Sequence, residues 1–530
     1  MKIIKQIFYL LTVFLFIKSY GQVEVTNYGD IPLDRLAISR WQNFKWDGTG
    51  NWETIDVTTK GILPNKTNDV APLINNLINS GSGKRILKFP AGTFNIKTNI
   101  DISKGDLQIV GEGNATKFLL QGGTSPASIS GGGKKGEFYN LSKDAKRGDN
   151  TISLTSSTGL NVGDYFIVTQ PGSATRPGAS GDETQIFKIV SKSGNILTLD
   201  MKFGIPFYKA TSKSQKLTFK KNLRFHNFYI EMTTKPNNGG KVTNFSLNTV
   251  QNVEISNVES NKASTGHITI FRGREVIVHD CKVHGNYGGG GGTQGGIIFN
   301  FSTNCHIINN EAWDLRHHYA TQFGCNHCVI AYNRALAPYN DYADYGQHNS
   351  KGCHNNLFEG NYGREIFDDP NPLKSWGTRY TMWYRNHATS KIGSENEYVE
   401  YMNIIANELK TNASGIKKGA PGKFTFAGAN IVSINGEGGT GTMVLGDLNA
   451  QSNLPASLFL KDRPSYVVRW PLYGPKVTNN TSPNNPPVVS FTLPTTTTFT
   501  APATLIFKVN ATDNDQGDNI ANVKLYKMVH

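Results

Sequence analysis

Between about residues 223 and 410, a short apolar run that ends in Asn or Asp recurs along the chain. It reads VEISN to Asn257, VIVHD to Asp280, HIINN to Asn310 and VIAYN to Asn333, then LFEGN to Asn361, MWYRN to Asn386 and NIIAN to Asn407. The intervals are 23, 30, 23, 28, 25 and 21 residues, 25 on average. No segment keeps a helical period, and β-branched and aromatic residues alternate with Gly/Asn turns, so the repeating unit is a coil of short strands. Three strands and their turns fill such a unit, which predicts one rung of a stacked solenoid. The recurring Asn has two physical reasons: it tolerates a left-handed turn, and its amide can bond to its equivalent one rung away.

Upstream, Val70, Leu73, Ile74, Leu77 and Ile78 follow helical spacing, with Asp69 at the N-cap and Gly81 just past the end. ILKFPAGTFNI (86–96) and LQIVGEG (107–113) read as strands broken by turns. One amphipathic helix followed by first rungs suits the exposed end of a solenoid. Residues 22–65 are irregular and carry Trp41, Trp46 and Trp52. Residues 136–220 interrupt the rung pattern with alternating apolar and polar positions and Gly turns, which predicts a small inserted antiparallel β module. Residues 411–475 are expected to be last turns and a C-terminal cover, and 476–487 a linker. Residues 488–530 look like the first half of an immunoglobulin-like domain, which needs about 80 to 100 residues.

The helix, then FPAGTF, then a strand ending in GEG resembles the N-terminal part of pectate-lyase-like right-handed parallel β-helix proteins. The resemblance covers residues 65–120 and the rungs from 223 to 410. It implies an all-β, right-handed parallel β-helix with a capping helix, and an exported protein that acts on polysaccharide. Phage tail spikes share the family, but the N-terminus here argues otherwise. MKIIKQ, the apolar run Ile7–Ile17 and Ser19-Tyr20-Gly21 describe a signal peptide over residues 1–21. The run is short of the ~20 residues that span a bilayer. Secretion, or a periplasmic or cell-surface place, is therefore expected.

Net charge is +14. An exported basic protein with no nucleic-acid motif suits an acidic polysaccharide, uronate-containing or sulfated, and not nucleic acid. No membrane span is expected, and a monomer is. The five cysteines are Cys281, Cys305, Cys325, Cys328 and Cys353. Counted from the marking Asn, Cys305 and Cys328 share one column, and Cys325 and Cys353 another. Rungs stand about 4.8 Å apart, too far for the Cβ atoms of a disulfide, so stacked free thiols are expected. Cys325-x-x-Cys328 has no second pair at finger-like spacing, which argues against zinc.

Eleven of the twelve histidines lie between His226 and His387. The densest ionisable patch is Arg316, His317, His318, Asp341, Asp344, His348, Lys351, Arg364, Glu365, Asp368 and Asp369. Arg316, Asp344 and Asp369 each fall seventeen residues before a marking Asn, which predicts one column, with His318 and His348 on the same solvent face. The Arg-His pair followed by Asp344-x-Gly346-x-His348 is similar to a pattern of exported β-helix proteins from polysaccharide degraders. An Arg–Asp column could equally be a cross-strand ion-pair ladder.

Two reactions compete. In β-elimination, His348 or His318 takes the proton α to a uronate carboxyl, Arg316 pairs with the carboxylate, and Tyr345 or Tyr319 protonates the leaving oxygen, with His317 in the same catalytic cluster. Arg364, Lys351, Tyr345 and Trp376 would hold substrate. In hydrolysis, Asp344, Asp368 and Asp369 would supply paired carboxylates. No cofactor is called for beyond calcium, which those same aspartates would ligate in a calcium-assisted lyase. Net charge favours the lyase. A non-catalytic carbohydrate-binding or adhesive β-helix is the third reading.

Overall fold

The computed structural model describes residues 41–122, 126–174, 181–236, 242–287, 295–336, 345–346, 352–368, 378–394 and 400–410. It also describes 416–418, 426–428, 430–432, 442–444, 451–452, 454–468, 470–474, 476–477, 488–493 and 508–512. Residues 1–21, expected to be a signal peptide, lie outside these. The chain is a right-handed parallel β-helix, with strands stacked in register on three faces.

Each face is defined by an inward column. On the first it runs Leu87, Ile109, Phe225, Ile255, Val278, Ile307, Ile330, Phe358, Trp383 and Ile404. On the second it includes Phe94, Phe118, Ile230, Ser260, Val283, Ala312 and Ala335. On the third it runs Ile129, Phe245, Ile268, Ile297, Tyr319, Tyr345, Ile366 and Ile392. The apolar members of all three form one continuous core. Each fully buried large side chain contributes about 1.5–3 kcal/mol of transfer free energy.

The two reasons for a recurring Asn are divided between neighbouring columns. Asn227, Asn257, Asp280 and Asn309 hold positive φ at the corner between the first and second faces, followed there by Tyr332, Gly360, Arg385 and Ala406. One residue later stands a buried ladder: Asn310, Asn333, Asn361, Asn386 and Asn407. Each ladder Oδ1 accepts from the backbone N–H and side-chain Nδ2 of the Asn one rung earlier, at 2.9–3.1 Å. Cys281 takes the ladder position in its rung, its N–H donating to Asn310 Oδ1. Asn257 and Asp280 therefore belong to the turn column, one position off the register that the sequence pattern suggests.

All five cysteines are free and buried, as their spacing predicts. At the capped end the helix spans Ala71–Asn79, with Val70 in the N-cap position rather than Asp69. Asp69 still accepts the Ala71 N–H, and it also ties down Lys97 N and Thr98 Oγ1. Pro72 inside the first turn makes the earlier residue the natural start.

From His306 onward the first face is apolar on its outer side as well. Ile308, Val329, Ala331, Leu357, Met382, Tyr384 and Ile405 form a second core with Trp41, Leu454, Phe459 and Val467. Residues 41–46 and 454–467 thus lie along one face. Trp41 Nε1 donates to Asn355 O, Phe44 packs on His306, and Trp46 Nε1 donates to Asn252 O. The C-terminal cover is pinned by Arg385, whose guanidinium donates to the carbonyls of Leu454, Pro455 and Tyr473.

The insert is a six-stranded antiparallel sheet. It docks on the corner column Arg274, Thr303, Asn326, His354 and Arg379. Arg274 meets Asp200 at 2.6 Å and Ile186 O at 2.9 Å, and Asn326 and His354 both bond Thr184 O. Of the expected immunoglobulin-like tail, the described part is one antiparallel pair, Val488–Leu493 with Lys508–Thr512.

Candidate functional site

The outward column one residue past the Asn ladder reads Glu311, Arg334, Tyr362, His387 and Glu408 on successive rungs of the second face. Arg334 and Glu311 approach to 3.5 Å. The Tyr362 and His387 rings stack at 5.3 Å and 22°. His387 Nδ1 lies 3.1 Å from Glu408 Oε2, while Glu408 Oε1 accepts the Gly474 N–H at 2.8 Å. A carboxylate only accepts, so Nδ1 carries a proton, and in the neutral ring Nε2 is then the lone-pair nitrogen. That Nε2 has no hydrogen-bond partner among the described residues. His387 lines a recess of about 650 Å³ together with Arg334, Tyr362, Tyr466 and Tyr473. An imidazole oriented by a carboxylate, with its second nitrogen uncommitted, is the arrangement of a general base.

Asn309 and Tyr466 also line a second recess, of about 630 Å³, which continues the first along the solenoid axis. Its floor holds a relay: Arg224 Nε to Glu254 Oε2 at 2.5 Å, His279 Nε2 to Glu254 Oε1 at 2.9 Å, and His279 Nδ1 to Asp280 Oδ2 at 2.6 Å. Burial alone would lower the His279 pKa. Hydrogen bonds and charge from Asp280 and Glu254 outweigh it and raise the pKa to about 9. His279 is thus a fixed cation at neutral pH, and both its nitrogens are occupied. It shapes the trough and does not serve as a base.

Several sequence-predicted positions land elsewhere. Tyr345, expected to touch substrate, is fully buried inside the solenoid, where it stacks on Tyr319 and donates to Asn333 O or Tyr362 O at 2.6 and 2.8 Å. Tyr319 is equally enclosed, its hydroxyl donating to Arg334 O. Neither can protonate a leaving group. His317 and His318 are buried rather than on a solvent face, and burial lowers the His318 pKa to about 4. Counting back seventeen residues does not reproduce the register. Tyr319 pairs with Tyr345 and Tyr345 with Ile366, which puts the paired position three residues after Arg316. Loop lengths between face three and the ladder differ from rung to rung, so equal sequence offsets do not mean equal positions. Arg364 is half-buried beside Glu365, at 3.7 Å, with Lys391 Nζ 3.9 Å from the same carboxylate. Asp344, His348, Lys351, Asp369 and Trp376 lie outside the described residues, as does the side chain of Asp368. Calcium ligation by the aspartates falls there too.

His387 and Glu408 are missing from the sequence-based site, although a signal for them exists. Each directly follows a marking Asn (Asn386-His387, Asn407-Glu408), a constant offset that no loop interrupts. The Asp280–His279–Glu254 relay is harder to find, because its members straddle the corner where the register shifts by one.

No protein-family model matches the chain, and no curated protein sequence matches it. Among solved structures, the tailspike protein gp49 of Pseudomonas phage LKA1 aligns with TM-score 0.48 and 18% identity, over 64% of this chain and 56% of that one. The tailspike gp61 of Pseudomonas phage phi297 aligns with TM-score 0.48 and 13% identity, over 69% and 68%. The A-module of Azotobacter vinelandii mannuronan C-5 epimerase AlgE6 aligns with TM-score 0.37 and 12% identity, over 72% and 100%. The chain spans a little over half the length of gp49. The architecture rests on the strand register above and takes nothing from these likenesses.

Proposed function

We propose that this chain is an exported enzyme that cleaves an acidic polysaccharide by β-elimination, with the polymer laid in the trough under the C-terminal cover. The observation that carries the reading is the Glu408-oriented His387, which lines a recess walled by tyrosines and whose buried Nε2 has no hydrogen-bond partner among the described residues. In the proposed reaction Nε2 takes the proton α to a uronate carboxyl, and the C–H electron pair becomes a new carbon–carbon double bond. The adjacent glycosidic C–O bond breaks, and the departing oxygen takes a proton from solvent. Arg334, in the same recess, would balance the charge that develops on the carboxylate. Tyr362 and Tyr473 offer flat faces for sugar rings. The +14 net charge favours an anionic polymer over a neutral one.

Arg316, Asp344, His348 and Arg364 remain a second proposed centre, and hydrolysis by paired aspartates there is the competing chemistry. Incubation with a panel of uronate and sulfated polysaccharides separates the readings. Ultraviolet absorbance of an unsaturated uronate product supports elimination. New reducing ends without that absorbance indicate hydrolysis, and neither signal on the whole panel indicates a binding or adhesive protein.

A further inference from the structure

A third recess, of about 400 Å³, continues the trough toward the capped end and shares Phe44 and Lys45 with the recess of His279. Three separate parts of the chain converge on it, and each brings a lysine. Lys45 comes from the N-terminal strap, Lys188 from the inserted module, and Lys221 from a rung of the solenoid. All three are exposed, and none has an ion pair among the described residues. Lys221 Nζ lies 5.3 Å from the centre of the Tyr165 ring, which forms one wall. The two carboxylates at the rim are engaged elsewhere: Asp47 accepts the Thr49 N–H, and Glu275 accepts from Gln251 and lies 3.7 Å from Arg274.

Gln251 supplies a second, independent indication. It is nine-tenths buried and lines the recess. Its Nε2 donates to Tyr165 and Glu275, while its Oε1 is buried with no hydrogen-bond donor among the described residues. A buried acceptor left over beside three cations suits a ligand that carries both a hydroxyl and a negative charge.

We propose that this recess is a distal subsite for an anionic sugar, carboxylated or sulfated, of the same polymer whose reacting bond lies at His387. Its placement within a substrate track rests on the functional reading above. The corner column counts the distance: Lys221, Gln251, Arg274, Thr303, Asn326, His354 and Arg379 are successive, which is six steps to the rung of His387. At ~4.8 Å per step the two sites are about 29 Å apart. A disaccharide cannot reach both, and a long chain can. The enzyme is then endo-acting, holding the chain far from the bond it breaks.

The test measures binding, by polarisation of labelled probes, of polygalacturonate, polyglucuronate, chondroitin sulfate and a uronate disaccharide. Wild type is compared with K45Q/K188Q/K221Q and with a control of equal charge change, K60Q/K143Q/K209Q. The subsite predicts at least tenfold weaker binding of one or more polymers in the first variant, a loss that shrinks as salt screens it. The control should bind like wild type, and the disaccharide, too short to span both sites, should bind wild type more weakly than the polymers do. Preference among the three polymers then tells a carboxylate from a sulfate. Equal losses in both triple variants would mean net charge alone, and would overturn the subsite. So would unchanged polymer binding, or no binding of any polymer by wild type. If the recess variant loses polymer binding while no substrate on the panel is cleaved, the subsite stands and the elimination reading falls. If cleavage yields the unsaturated product and neither it nor binding responds to the recess lysines, elimination stands and the subsite falls.

Discussion

At the scale of single residues, two roles hang on side chains that the rung geometry places side by side. Glu408 fixes the tautomer of His387, so Glu408→Gln should lower turnover about 10²-fold, within the range usual for positioned acid–base groups. The KM should change little, and circular dichroism should be unaltered, since Gln keeps the Gly474 contact. The Asn ladder carries structure instead. Asn361 accepts the Asn333 N–H and donates to Ile330 O. Asn361→Ala strands both backbone groups in the core, at about 1–3 kcal/mol each, so a loss of about 2–6 kcal/mol is expected in urea unfolding. The ladder and the His387–Glu408 pair are both within reach of the sequence, because they sit at fixed offsets with no loop between. Tyr345 misleads because a tyrosine in an apolar column reads as a surface polar residue unless its neighbours on adjacent rungs are aligned first.

Among the larger elements, the two terminal straps make the site. The outer face from His306 to Ile405 would be exposed apolar surface without them. The alternation rule hides this: runs such as VIAYN are apolar on both sides, as suits strands covered on both faces. Phe459→Ala should therefore release the cover, by about 3–5 kcal/mol if its pocket does not collapse, and raise protease cutting within residues 454–468. The relay under the cover gives a pH signature. The folded pKa of His279, about 9, exceeds its unfolded value, so its stabilisation is full below about 6.5 and disappears as pH rises through 9. Wild-type thermal stability should fall across that window. In His279→Gln the fall should be shallower, from a lower starting point.

For the molecule as a whole, the fold is legible in the sequence and the trough only in part. A repeat near 25 residues specifies a strand coil almost by itself, since no other unit of that length buries its apolar side without helices. The resemblance at FPAGTF and GEG adds the right-handed β-helix. The course of residues 41–47 and 454–473 along one face is not legible, because nothing local in them says what they cover. The inserted module reads as antiparallel, but its place along the corner column comes from contacts such as those of Arg274, Asn326 and His354 with its backbone. That placement turns a decorated solenoid into a groove long enough for a polymer.

The most direct test of the central claim compares His387→Ala with His348→Ala on whichever uronate polymer wild type cleaves, reading the unsaturated product with folding checked by thermal melting. The account predicts that His387→Ala retains at most about a hundredth of wild-type turnover, while His348→Ala stays within a few-fold. Full activity in folded His387→Ala, with loss in His348→Ala, would move the chemistry to His348 and contradict it.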